Sequence, residues 1–187
     1  HWPDHRSGHT ATLISDGPNG PRLFVVGGID GEGGMTAALD VYEVDAQRWR
    51  RPRLERAPPP RARHVAVALG GTSAGSLWIF GGAVRPPPPT AEESAAAARR
   101  APSSLPAGAA RHWSAASLGA TRMLDDVHVL DAEADPPVWY TPRVVGPRPP
   151  ARCAHSATLL ADGLSVLIYG GDGGAAAPYK HCRKRAP

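Results

Sequence analysis

The sequence predicts an all-β fold built from repeated antiparallel strands, and three observations lead to this prediction. An apolar run that ends on two glycines occurs three times, as LFVVGG, LWIFGG and VLIYGG. Each run follows an Arg-x-x-His motif and a short alternating segment. Proline and glycine contribute 21 residues each to a chain of 187, which favours many turns and short elements over long helices.

The first two strands of each repeat follow from hydrophobic periodicity. The segments after His9, His64 and His155 read TATLI, VAVAL and SATLL, and VAVAL alternates as a half-buried strand does. The apolar runs that follow are continuous, which is typical of strands buried on both faces. Turn sequences such as SDGPNG and ADG separate the two strands, as in a hairpin.

Two further strands complete a unit. The segments LDVYEVD, which contains Tyr42, and DDVHVLD have the β-branched and aromatic content of strands. Each is followed by a tryptophan, Trp49 or Trp139, in a short run closed by proline and arginine. The predicted order in each unit is therefore an alternating strand, a glycine-ended strand, an acidic strand and a tryptophan strand.

The spacing of the units shows an insertion in the second. Arg6 and Arg61 are 55 residues apart, whereas Arg61 and Arg152 are 91 apart. The extra residues lie in 83–122, whose proline, alanine, serine and glycine content predicts a long disordered or partly helical insert. The pattern from Thr90 to Arg100 fits a short capped helix, and the four prolines at 86–89 fit a stiff spacer or a polyproline ligand.

This order of motifs resembles the kelch repeat of β-propeller proteins. The resemblance implies a partial kelch-type β-propeller with four-stranded antiparallel blades. Two residues without Cβ let the backbone bend sharply at the strand end and let a neighbour approach closely. The residues that carry the resemblance are the three glycine doublets, the three Arg-x-x-His motifs and the strand aromatics: Gly27, Gly28, Gly81, Gly82, Gly170, Gly171, Arg6, His9, Arg61, His64, Arg152, His155, Tyr42, Trp49 and Trp139.

The repeats predict a single incomplete propeller across 1–187. Blade 1 covers 1–52, blade 2 covers 53–141 with the insert, and 142–187 holds the first half of blade 3 plus a basic tail. Propellers usually have about 4 to 8 blades, so this material does not close a ring. We expect a longer parent chain to supply the remaining blades; the alternative is completion by another chain.

Composition bears on membrane association and on the cellular compartment of the protein. No apolar run approaches the roughly 20 residues of a membrane-spanning helix, so we expect no membrane association. Two cysteines do not make a disulfide framework, which favours a reducing compartment. We therefore expect a cytoplasmic location, with a nuclear one compatible with the basic cluster at 180–185.

Charge is predicted to be unequally distributed between the two ends of the blades. In an antiparallel meander, the loop after the second strand and the loop between blades emerge on the same side. The segments on that side hold 19 of the 21 Lys and Arg residues but only 7 of the 17 acids. Such a basic face would steer an acidic partner, although the repeated arginines can equally be structural and the others simply solvated.

No catalytic or metal-binding pattern is evident. The two cysteines do not form a Cys-x-x-Cys pair, and three of the eight histidines, His9, His64 and His155, recur once per blade as repetition alone would produce. Asp125 and Asp126 adjoin in a strand, so their side chains are expected on opposite faces. We therefore predict no catalytic residue, no metal and no cofactor.

The function that the resemblance implies is a non-catalytic adaptor or scaffold that binds a protein through its loops. We expect an acidic or phosphorylated protein segment as partner, because arginine binds carboxylates and phosphates with two parallel hydrogen bonds. Two alternatives remain open: a nucleic-acid-associated protein that uses the basic face and tail, and a metal-dependent kelch-type enzyme. The predicted partner-binding residues are Asp30, Met35, Arg51, Arg53, Arg56, Arg85 and Arg143.

Overall fold

The computed structural model describes residues 2–15, 17–70, 75–85 and 121–173, together with the backbone of the strand at 182–185. Every regular element in this part of the chain is a β-strand. No helix among the described residues is long and apolar enough to span a membrane. The prediction of an all-β fold with four-stranded antiparallel blades is confirmed.

Two sheets have the predicted four-stranded meander. The strands of blade 1 follow one another across the sheet as β2 (Thr10–Ile14), β3 (Arg22–Val26), β5 (Leu39–Glu43) and β6 (Arg48–Arg50). The strands of blade 2 follow one another as β7 (Val65–Leu69), β8 (Ser76–Phe80), β11 (Val127–Asp131) and β12 (Val138–Tyr140).

The third blade has one strand more than the sequence predicted. β13 (Ser156–Leu159) pairs with β14 (Ser165–Tyr169), and β14 also pairs with β15 (Cys182–Arg185). The sequence predicts a basic tail at 182–185, whereas the backbone there forms a strand. This strand is hard to recognise in the sequence because Cys-Arg-Lys-Arg has neither apolar alternation nor β-branched residues.

Two short strand pairs lie at the loop ends of the first two blades. β1 (Arg6–Ser7) pairs with β4 (Ile29–Asp30), and β9 (Ala83–Val84) pairs with β10 (Arg122–Met123). The two ends of the predicted insert are therefore joined as strands. The predicted polyproline spacer and helix, at 86–89 and 90–100, lie outside the described residues.

The core lies between the blades. One cluster packs Phe24 and Val26 of blade 1 against Leu77 and Trp139 of blade 2. A second packs the other face of blade 2 against blade 3; its buried members are Val67, Leu69, Phe80, Val127, Val166 and Ile168. Blade 2 is thus buried on both faces, by blade 1 on one side and by blade 3 on the other, as expected of stacked repeats.

The first strands of the three blades lie side by side at the inner edge. β7 packs against β2 on one side and β13 on the other. Just before these strands, the N–H of Arg63 donates to the carbonyl of Gly8 (2.7 Å), and the N–H of Ala154 donates to the carbonyl of Arg63 (2.9 Å). All three residues have left-handed φ angles between 52° and 66°, which the non-glycine residues adopt at some cost.

Candidate functional site

The candidate site is the end of the blades that carries the glycine doublets and the inter-blade loops, here called the loop face. It comprises 2–8, 27–38, 51–64, 81–85, 121–126, 141–155 and 170–173 among the described residues. Most of the arginines of the chain lie here. Their partners decide which of them can bind another molecule.

The arginine of each Arg-x-x-His motif holds its own blade together. Nη1 of Arg6 donates to the carbonyl of Gly27 (3.3 Å), Nη1 of Arg61 to that of Gly81 (3.0 Å), and Nη1 of Arg152 to that of Gly170 (2.7 Å). Each accepting carbonyl belongs to the first glycine of a doublet. The three motif arginines are therefore structural parts of the repeat.

Two of these arginines also bind a carboxylate from the third strand region. Arg6 Nη2 lies 2.6 Å from Oδ2 of Asp40, which is fully buried. Arg61 donates to both carboxylate oxygens of Asp126, at 2.7 and 2.8 Å, and is itself 1% exposed. Bidentate pairs of this kind are the strong form of the arginine–carboxylate interaction.

The two carboxylates do not occupy equivalent positions. Asp40 pairs with Val25 in blade 1, whereas the position that pairs with the equivalent Ile79 in blade 2 holds His128. Asp126 comes two residues earlier and precedes β11. Because two residues along a strand restore the same face, either position can reach its arginine.

His128 links Asp126 to the surface. Its Nε2 lies 3.0 Å from Oδ2 of Asp126, and its Nδ1 lies 3.3 Å from Oγ1 of the exposed Thr141. Burial raises the pKa of Asp126, but hydrogen bonds from Arg61 and His128 outweigh it and hold that pKa well below its usual range. Asp126 is thus ionised at neutral pH, and its carboxylate holds Arg61 in place.

The first two glycine doublets join neighbouring blades. The N–H of Gly28 donates to the carbonyl of Arg61 (2.8 Å), and the N–H of Gly82 donates to that of Arg152 (2.9 Å). A Cβ on Gly27 would lie 2.5 Å from the same Arg61 oxygen, and Gly27 has a φ of +62°. The close approach expected of the doublets is therefore an approach to the backbone of the next blade.

The repeated histidines pack against the same doublets. The ring of His64 lies against Gly27 of the preceding blade, and its Cβ lies against Gly82 of its own blade. Burial, followed by the charge of Arg61, lowers the pKa of His64 to about 3, and burial lowers that of His155 to about 4.

In the part of the chain that the structure describes, no group of three or more His, Cys, Asp or Glu residues could hold a metal ion.

Three predicted partner-binding residues contribute to the blade itself. Nε and Nη2 of Arg51 bind Asp40 at 2.7 and 3.1 Å, and Nη2 also reaches Asp4 at 3.1 Å. Oδ1 of Asp30 accepts the N–H groups of two following residues and so closes its own loop. Met35 is half-buried and bridges to Ile29. These contacts leave only part of Arg51 available at the surface.

The other four predicted residues are exposed. Arg53 and Arg56 lie in the loop from blade 1 to blade 2, Arg85 follows β9, and Arg143 lies in the loop from blade 2 to blade 3. Within the described ranges, none of the four forms an ion pair. They therefore present guanidinium groups to the solvent from three loops of one face.

The structure also reduces the positive charge that the sequence assigned to this face. Asp40 and Asp126 fall in predicted strands and therefore outside the predicted basic face, yet both carboxylates reach the loop face and neutralise Arg6, Arg51 and Arg61. This role was not predicted from the sequence. The signal available was an aspartate near the start of the third strand of both complete units.

The opposite end of the blades holds two ion pairs between blades 1 and 2: Arg22 binds Glu133 at 2.9 Å, and Arg50 binds Asp135 at 3.1 Å. Arg50 also binds Glu43 within blade 1. A cavity of about 230 Å³ lies beside them. Its lining includes three acids, Glu43, Asp45 and Asp135, and two arginines, Arg22 and Arg50, so it is not lined by charges of one sign.

The chain is similar to parts of several larger proteins. It is 38% identical over 86 residues to the flagellar outer arm dynein alpha chain of Chlamydomonas reinhardtii, which covers 43% of this chain. It is 29% identical over 168 residues to serine/threonine-protein phosphatase BSL2 of Arabidopsis thaliana (89% of this chain) and 28% identical over 183 residues to Adagio-like protein 3 of rice, Oryza sativa subsp. japonica (92%). No family model matches the chain.

These relatives are much longer than the chain, which spans 2%, 12% and 22% of their respective lengths. Among solved structures, a chain from a cryo-EM structure of RAG in complex with one melted and one unmelted RSS matches 99% of this chain with a TM-score of 0.60 and 14% identity. This chain covers 52% of that one. The structural match supports the fold, and the matches to the phosphatase and the Adagio-like protein hint at a kelch-type β fold.

Proposed function

We propose that the chain is a non-catalytic interaction module of the kelch type that binds an acidic or phosphorylated protein segment on its loop face. The observation that carries the proposal is the group of exposed arginines on three loops of one face: Arg53, Arg56, Arg85 and Arg143. Exposed guanidinium groups can bind carboxylates or phosphates without first breaking an internal ion pair.

The separation of arginines into two groups supports this assignment. Arg6, Arg61 and Arg152 are bound to backbone carbonyls, and Arg51 is held by two aspartates. Among the described residues, the four exposed arginines do not form ion pairs of this kind. Their charge therefore contributes little to the fold and remains available for a partner.

The test is a binding titration with a fluorescent peptide rich in glutamate and phosphoserine. We expect Arg53→Glu combined with Arg56→Glu to weaken binding by about 10-fold or more, since each lost charged contact is worth about 1.5 to 3 kcal/mol. Arg48→Glu is the charge control, because this side chain is 64% exposed at the opposite end of blade 1 and its replacement breaks only a surface ion pair with Glu43. Equal losses in both variants would contradict a site on the loop face.

A single-stranded oligonucleotide titration separates this proposal from the nucleic-acid alternative. Binding to nucleic acid should fall steeply with salt and show little sequence preference. If the oligonucleotide binds tightly and the peptide does not, the protein-interaction proposal fails. Arg51 is left unchanged in these variants, because its loss would also disturb Asp40.

A further inference from the structure

Thr141 is the only serine or threonine in the sequence that directly precedes a proline. It follows β12 and begins the loop from blade 2 to blade 3, and its side chain is exposed. A residue before proline is confined to extended backbone conformations. Kinases that require proline after the acceptor residue bind extended segments of this kind, so Thr141 has the local sequence and backbone that they need.

The surroundings of Thr141 give an enzyme access to it. Tyr140 and the loop residues 145–148 are exposed, and the segment between β12 and β13 contains no strand. β12 is three residues long and pairs only with β11 among the described strands. The position belongs to blade 2, which has a described neighbour on both sides.

His128 already contacts the hydroxyl of Thr141. Its Nδ1 lies 3.3 Å from Oγ1, and its Nε2 lies 3.0 Å from Oδ2 of Asp126, which is ionised and already paired with Arg61. Because a carboxylate only accepts, Nε2 carries a proton, and Nδ1 of the neutral ring accepts from the hydroxyl. A phosphate on Oγ1 removes the hydroxyl proton and adds accepting oxygens. A protonated His128 ring donates from both nitrogens and can then bind the phosphate and Asp126 together.

Arginines lie on two sides of this position. Arg143 is two residues further along, is exposed, and forms no ion pair within the described ranges. The loop from blade 1 to blade 2, which carries two of the exposed arginines, lies on the other side. Leu54 of that loop packs against the core cluster that contains Trp139, two residues before Thr141. Guanidinium groups placed in this way favour a phosphate over a hydroxyl at Thr141.

We propose that Thr141 is a phosphorylation site for a proline-directed protein kinase, and that His128 and Arg143 hold the resulting phosphate. In the transfer, Oγ1 of Thr141 bonds to the γ-phosphorus of ATP as the bond from that phosphorus to the departing ADP oxygen breaks. The hydroxyl proton passes to the catalytic aspartate of the kinase. The product carries a charge of about −1.5 to −2 at pH 7. This site does not depend on the proposed function of the loop face.

The first test is incubation of the folded 187-residue chain with ATP and a mitogen-activated protein kinase, which requires proline after the acceptor. Intact mass and peptide mapping should show one phosphate per chain, on Thr141. Thr141→Ala and Pro142→Ala should each reduce incorporation to background, whereas Thr141→Ser should retain it. Thr158→Ala is the control and should change nothing, because Thr158 is also exposed but precedes a leucine within β13.

Phosphorus NMR of the phosphorylated chain tests whether blade 2 holds the phosphate. Bound cations favour the dianion, so we expect the second phosphate pKa to lie below the value of about 6 that is usual for phosphothreonine. A phosphorylated synthetic peptide of residues 136–148 is the reference without the blade. His128→Gln and Arg143→Gln should each raise the phosphate pKa toward that of the peptide. Arg48→Gln, at the opposite end of blade 1, should leave it unchanged.

A phosphate on Thr141 should also oppose binding of an acidic partner, an expectation that rests on the proposed function. We expect the phosphorylated chain to bind the glutamate- and phosphoserine-rich peptide about 10-fold more weakly than the unmodified chain, because like charges repel and the phosphate occupies arginines. If neither form binds this peptide, the proposed function fails, while mass and phosphorus NMR still decide the phosphorylation site.

Three outcomes would overturn the inference. Incorporation that persists in Thr141→Ala would place the acceptor elsewhere. Modification of the peptide 136–148 without modification of the folded chain would show that the fold withholds Thr141 from the kinase. A phosphate pKa in the folded chain equal to that in the peptide would show that His128 and Arg143 do not hold the phosphate.

Discussion

Arg61 and Asp126 are 65 residues apart in the chain and form a bidentate ion pair within blade 2. Arg61 is fully buried, and it also donates to the carbonyl of Gly81. The Arg61 guanidinium therefore connects the start of blade 2 with both sides of the long insert: with Gly81, just after β8, and with Asp126, just before β11. This pair is where the stability of blade 2 is most easily tested.

Replacing Arg61 should destabilise the fold strongly. Removing one partner of a buried pair typically costs about 3 to 5 kcal/mol, and partial solvent access at Asp126 should reduce this to about 2 to 4 kcal/mol for Arg61→Ala. Arg61→Lys should recover part of the loss, because lysine keeps the charge but not the two parallel bonds. Urea denaturation measures both variants. The exposed Arg48→Ala should cost less than about 1 kcal/mol, and an equal cost at both sites would refute this prediction.

Stability should fall as the pH drops below about 6.5. In the folded state the pKa of His64 is about 3 and that of His155 is about 4, so the unfolded chain binds protons at a higher pH than the folded one. The stability due to the neutral rings is complete above the unfolded pKa and is lost progressively below it. By pH 5 the loss should be about 2 kcal/mol for each histidine.

Urea denaturation between pH 7.5 and pH 5 checks this dependence. The variant His64→Asn with His155→Asn should be less stable at pH 7.5 but should show a much flatter pH profile. The depressed pKa of Asp126 adds a loss in the same direction only at lower pH, as that carboxylate becomes protonated. A variant profile as steep as that of the unchanged protein would mean that other groups cause the pH dependence.

Gly27, the first glycine of its doublet, should tolerate no side chain. Gly27→Ala would place a Cβ 2.5 Å from the carbonyl oxygen of Arg61, so blades 1 and 2 would have to separate. Gly33→Ala is a matched control, because Gly33 also has a positive φ but nothing lies within 4 Å of its Cβ position. We expect about 1 to 2 kcal/mol at Gly33 and clearly more at Gly27. Similar melting temperatures for the two variants would contradict the close approach.

Cys153 should be unreactive in the folded protein. It is 2% exposed, and burial followed by the charge of Asp172 raises its pKa, so little thiolate is present near neutral pH. In a Cys182→Ser background, a thiol reagent should modify Cys153 about 100-fold more slowly in buffer than in urea. Rapid labelling in buffer would show that the structure around Cys153 opens readily.

Much of the fold could be predicted from local sequence. Alternation in VAVAL, the continuous apolar runs and the glycine doublets depend on neighbours only a few residues away, and the blade order follows from their repetition. The strand at 182–185 could not be predicted in the same way. It pairs through its backbone, which any side chain permits, and its sequence carries no hydrophobic pattern.

The sequence by itself determined the repeat, the number of complete blades and the positions of the arginines. Only the tertiary structure decided which arginines are structural and which are exposed. Asp40 and Asp126 lie far in sequence from Arg6 and Arg61, at positions that differ by two residues between blades. Ion pairing depends on distances of a few ångströms, which folding sets and sequence spacing does not. For the same reason, Arg53 and Arg56 differ from Arg51 in their partners although all three lie within six residues.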